Sequence, residues 1–199
     1  MKNGRSLRQK CGTMLSDAAS RGFSLVELVL IMGAIALIAI AIFIIFNSVQ
    51  TRTQVEFEGR RLTGIVSGVH SWFAGHFVYR GLTTGVANQA RVFPANMNGG
   101  DFTPSAPIVN LWGGAVTLAP EGSPATRFVI RYENVPTSAC VRWLPASAPL
   151  FAQVRVGPSG TIVHDVTPTG TPATSRLDVE AAVQACASAP AVPIEWVSY

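Results

Sequence analysis

The sequence predicts an α+β protein, a long N-terminal helix followed by an antiparallel β-rich head. Three observations carry this. Residues 23–46 form an unbroken apolar run whose only charge is Glu27. Beyond it, Leu62, Ile65, Val66, Val69, Trp72, Phe73 and Phe77 recur at spacings of three and four, as on an amphipathic helix with one apolar face. The rest breaks into short β-rich segments between turns rich in proline and glycine, a pattern of strands rather than of further long helices.

The apolar run comes first. As a helix it would be about 36 Å long, enough to cross the roughly 30 Å hydrocarbon core of a bilayer. Isoleucines at 31, 35, 38, 40, 42, 44 and 45 surround it, so no polar face is left for water. A helix apolar all round is buried in lipid or among other helices. With the amphipathic stretch it reads as one continuous helix to about Phe77, roughly 80 Å long.

Glu27 is the anomaly, because a charge inside a membrane segment costs about 2.5–3.5 kcal/mol or more at its centre. Cleavage between Gly22 and Phe23 would place an α-amino cation at the head of the helix. A neighbouring subunit, offset along the axis, could then bring that amine to Glu27. The stretch Gly22-Phe23-Ser24-Leu25-Val26-Glu27-Leu28 with about 20 apolar residues behind it resembles the processing site of type IV pilins and of the related pseudopilins. The resemblance implies a cut after Gly22 by a prepilin peptidase, methylation of Phe23, and Glu27 as the carboxylate that stacks subunits into a filament. The basic leader of 22 residues resembles the long leaders of type IVb pilins, whereas Phe23 at the new N-terminus is the type IVa habit. An ordinary signal anchor whose glutamate reaches the interface is the alternative reading of the same run.

The implied organisation is a cleaved leader over residues 1–22 and a transmembrane or filament-core helix over 23–46. The amphipathic half of that helix follows over 47–78, and the globular head over 79–199. The formal charge of +4 resides in the leader. Without Lys2, Arg5, Arg8, Lys10, Arg21 and Asp17, ten basic and ten acidic residues remain. A neutral domain has no electrostatic footprint for phosphate backbones, so no nucleic-acid partner is expected. The leader's charge instead orients the chain with leader in the cytoplasm and head in the periplasm.

Of three cysteines, Cys11 lies in the leader. Cys140 and Cys186 remain in a domain expected outside the cytoplasm, where disulfides persist. A bridge between them would contribute about 4 kcal/mol by the chain-entropy estimate. Free buried thiols are the alternative; a zinc site is disfavoured because neither cysteine has a second ligand at metal spacing. In pilins the corresponding region, here 140–186, is the disulfide-bounded closure of the head.

In the head, residues 80–126 read as loop, with a turn through Gly113-Gly114 leading into a strand over 115–118. The Trp112-Gly113-Gly114 turn resembles one that precedes the first sheet strand of type IVb pilins. Residues 127–132 read as a strand, and 136–144 as a short helix that starts at proline or a hydroxyl residue and closes at Pro145 and Pro149. Residues 151–156 and 161–164 form a hairpin through a four-residue turn. A loop over 167–174, a helix over 175–187 with Ser175 as possible cap, and a final strand over 193–199 complete the chain.

No catalytic constellation is present, so no enzyme and no cofactor are expected. His70 and His76 are six apart, not the four that would share a helix face for a metal, and all three histidines read as exposed. No P-loop appears, so energy for assembly must come from elsewhere. The resemblance therefore implies a structural subunit that forms a helical homopolymer for adhesion, aggregation, motility or conjugation. Its implied partners are the prepilin peptidase, an inner-membrane platform protein, an assembly ATPase, an outer-membrane secretin and, before assembly, membrane lipid. A pseudopilin of type II secretion, or a signal-anchored periplasmic binding module, is the alternative; the cysteine pair and the long leader favour the pilus.

Overall fold

The computed structural model describes residues 24–166 and 176–198. The chain divides into two compact units, residues 1–44 and 45–199. Helix α1 (Leu25–Trp72) begins in the first and ends in the second.

The first unit is helix alone among its described residues. Leu25–Phe43 is long and apolar enough to cross a membrane, and none of it is buried within the chain. Leucine, isoleucine and alanine favour the helix, but this segment has nothing of its own to pack against.

The second unit holds the core. The end of α1 contributes Val55, Leu62, Ile65 and Val69, whose spacings of seven, three and four place them on a single face. They share the core with a five-stranded antiparallel sheet of order β1-β2-β5-β3-β4. The strands are β1 (Val116–Glu121), β2 (Arg127–Pro136), β3 (Gln153–Val156), β4 (Thr161–Asp165) and β5 (Ala191–Val197). Alternation over Arg127–Tyr132 of β2 buries Phe128, Ile130 and Tyr132 and turns Arg127, Val129 and Arg131 to the other face. Its described residues also hold the helices α2 (Thr84–Gln89), α3 (Thr137–Ser147) and α4 (Val179–Cys186), with a 3-10 turn over Ala148–Leu150 after α3.

Several boundaries differ from the sequence reading, each for a local reason. Helix α1 stops at Trp72, five residues short of Phe77. The chain tightens into turns there, with His76 N–H donating to Phe73 C=O and Gly75 left-handed at φ 86°. Residues 80–126 are not all loop: Thr83 caps α2 by accepting from Val86 N–H. Pro145 does not close α3 but lies inside it, two residues before its end at Ser147. Helix α4 begins at Val179, capped by Asp178, whose carboxylate accepts from Ala181 N–H; Ser175, the expected cap, lies outside the described residues. The last strand starts earlier, at Ala191, and runs through the middle of the sheet between β2 and β3. A proline is poorly suited to a central strand. Pro193 is accommodated because the β2 register shifts between Tyr132 and Val135, directly across from it.

His164 corrects the expectation of three exposed histidines. His70 and His76 are exposed, but His164 is buried, and neither of its ring nitrogens has a hydrogen-bond partner among the described residues. The cause is a register shift in the β3–β4 pairing between Val154 and Arg155. It breaks the alternation, so Val163 and His164 are both buried while Ile162 is exposed.

Candidate functional site

The residues singled out by the sequence fall into three groups. Gly22 and Phe23 lie outside the described residues. Glu27 sits in the first turn of α1, exposed, and is the sole carboxylate on Leu25–Phe43. An acid in the first helical turn is favoured by the helix dipole, which lessens but does not remove its cost in lipid. Cys140 and Cys186 are brought together from α3 and α4 and form a disulfide, with Cα atoms 5.8 Å apart. Both are fully buried, so the bridge joins the two short helices to each other within the core.

The head contains a second construction that sequence reasoning missed. Glu58 is completely buried, on the same face of α1 as Val55, Leu62 and Ile65. Its Oε1 accepts from Leu111 N–H at 2.8 Å and from Arg61 at 2.7 Å. Burial is the largest influence on its carboxyl and raises its pKa, outweighing the Leu111 hydrogen bond and the Arg61 charge that lower it. Next to it stands an aromatic cluster. Tyr132 lies edge-on to Trp143 at 5.2 Å and to Trp196 at 5.4 Å, and Trp143 tilts against Trp112 at 5.7 Å. Burial, and then the nearby Glu58 charge, hold the Tyr132 hydroxyl well above its ordinary range. The signal was present: a carboxylate at apolar spacing on an amphipathic helix, one of the few positions where Glu needs a buried donor.

Glu58 thereby clamps the turn that the sequence identified. Asn110 shapes that turn: its Oδ1 accepts from both Trp112 N–H and Gly114 N–H at 2.9 Å, and its Nδ2 donates to Glu133 C=O at 2.7 Å. Gly113 is left-handed at φ 73°. At Gly114 a Cβ would meet the Glu133 carbonyl oxygen at 1.8 Å, so only glycine lets the turn pass β2. The Trp-Gly-Gly sequence is thus a packing requirement at the start of β1.

A helix with an apolar, unburied first half, a second half sharing the core of an antiparallel sheet, and a disulfide closing the C-terminal region together make the type IV pilin fold. The chain belongs to the PilS N-terminal family, whose model ("PilS N terminal") matches residues 52–199. Among the matching solved structures is the type IVb pilin of Salmonella typhi, at TM-score 0.50 and 16% identity, covering 72% of this chain and 98% of that one. Another is TcpA, a type IV pilin from Vibrio cholerae El Tor, at TM-score 0.50 and 12% identity, covering 75% of this chain and 99% of that one. No curated protein matches it in sequence. At these identities the two structures establish the fold, and with the family they make the chain a type IV pilin-like structural subunit.

Proposed function

We propose that the chain is a pilin that polymerises into a type IVb pilus after cleavage between Gly22 and Phe23 and methylation of Phe23. The observation that carries this reading is the apolar helix Leu25–Phe43, wholly unburied within its own chain and bearing Glu27 in its first turn. Such a surface is stable only in lipid or against other apolar helices. Moving from lipid into a bundle exchanges one apolar environment for another, so association rests on packing and on polar pairing rather than on the hydrophobic effect. The Phe23 amine of one subunit and Glu27 of the next supply that pairing and select the register. The processed subunit waits in the inner membrane with its head in the periplasm; a platform protein and an ATPase lift it into the filament, which leaves through a secretin. On this reading the leader is 1–22, the membrane-spanning segment 23–46 and the head 79–199, while the amphipathic half that begins at residue 47 ends with α1 at Trp72.

Intact-mass spectrometry of filaments sheared from producing cells tests the reading. The expected mass begins at Phe23, carries one extra methyl and lacks two hydrogens for the Cys140–Cys186 bridge. A chain of that mass confined to the inner membrane would instead support a pseudopilin. A chain starting at Met1 would overturn processing altogether.

A further inference from the structure

The second unit also holds a cationic groove unrelated to the disulfide or to Glu27. Its walls are α1 and the loop 91–96, its volume is about 460 Å³, and no acidic side chain lines it. Phe57, Arg60, Arg61 and Gly64 line it from α1, where spacings of three, four and seven place them on one face. Arg91, Pro94 and Asn96 line it from the loop. A Cβ on Gly64 would touch nothing within 4 Å, so that part of the groove is open.

Three features make these guanidiniums available to an anion, Arg60 and Arg91 being exposed and Arg61 largely buried. First, Arg131 and Arg155 on the sheet are each paired with two carboxylates, whereas Arg60 and Arg91 have no carboxylate partner among the described residues. Second, the Arg61 side chain is only 8% exposed; one end pairs with Glu58, and its buried Nε has no hydrogen-bond partner among the described residues. Its guanidinium lies 4.2 Å from the Phe57 ring centroid, and that of Arg91 lies 4.8 Å from that of Phe102, contacts that help to orient both. Third, Arg91 follows the C-cap Ala90 of α2 with φ 57°, a left-handed position that glycine or asparagine normally fills. Arg91 thus holds its side chain beside the groove at a cost in backbone strain. The loop beside it is fixed: Trp72 Nε1 donates to Ala90 C=O, and Val92 packs where α1 has Gly68.

We propose that this groove binds a compact dianion, a phosphate monoester in particular. Arg60, Arg61 and Arg91 less Glu58 leave a local charge of about two positive units, which matches a dianion. Planar guanidinium forks suit the tetrahedral oxygens of phosphate. The groove exceeds a bare ion and has room for the body carried by the ester.

Isothermal titration of the full chain in a maltoside detergent at low salt tests this. The probes are glucose 1-phosphate, inorganic phosphate and glucose. Glucose 1-phosphate should bind, glucose should not, and added salt should weaken binding. Tighter binding of the ester than of inorganic phosphate assigns the site to esters; equal binding assigns it to free phosphate. Arg60→Ala and Arg91→Gly should each weaken binding about tenfold or more, the loss of one charge-assisted contact, while Arg80→Ala should not. Arg91→Gly also relaxes the left-handed backbone, so its folding is secure, and unchanged melting establishes that the loss is local. Absence of binding by either phosphate probe, or binding that both groove variants retain, overturns the proposal.

Discussion

The first half of α1 and the head solve opposite problems. Leu25–Phe43 is apolar on every side and buries none of it within the chain. The head turns Val55, Leu62, Ile65 and Val69 inward and seals them against Phe128, Tyr132, Trp143 and Trp196. One is stable because of its surroundings, the other because of its own packing. The lesson is that stability and assembly should respond to different residues in this chain.

The largest effect on the head is expected at the disulfide. Cys140→Ser should cost about 4 kcal/mol and lower the melting temperature by on the order of 10 °C, read by circular dichroism of the full chain in detergent. An unchanged melting temperature would mean the bridge does not constrain the unfolded chain. Gly114→Ala comes next, at about 3 kcal/mol, because the Glu133 carbonyl it would strike is backbone and cannot swing aside. Its signature would be loss of near-ultraviolet signal from the Trp112–Trp143 contact.

Glu58 gives a smaller, pH-dependent effect. Burial raises its folded-state pKa above the ordinary 4.5. Its contribution is therefore fully present below about pH 4.5 and is lost as pH rises through the folded-state value. Melting measured across that window should fall with rising pH in the native chain and flatten in Glu58→Gln, which keeps an oxygen for Leu111 N–H. A parallel fall in the variant would assign the dependence to another group. The smallest effect on the head is expected at Glu27. Glu27→Ala should leave melting unchanged within about 0.5 kcal/mol, as for surface substitutions, yet reduce sheared filaments to nothing. Normal filaments from that variant would remove its stacking role and erase the contrast between the two regions.

How much was legible follows the range of the interactions. The apolar run, the turn at Gly113, the hairpin through Gly157 and Gly160 and the pairing of Cys140 with Cys186 depend on neighbours in sequence or on composition. The α+β class and the pilin resemblance followed from them. The burial of His164 and the passage of β5 through the sheet depend on how strands pair, whereas α1 ends at Trp72 through a local turn at Gly75 that its apolar spacing does not reveal.

By itself, then, the sequence determined that a long apolar helix bearing one carboxylate precedes a β-rich head with a cysteine pair, because periodicity and composition are local properties. Only the tertiary structure decided that β5 runs through the centre of the sheet, that Glu58 clamps Leu111 from 53 residues away, and that Arg60, Arg61 and Arg91 share one groove. Each of those requires two distant stretches to meet, and which stretches meet is set by the summed packing of the whole core rather than by any segment's own preference.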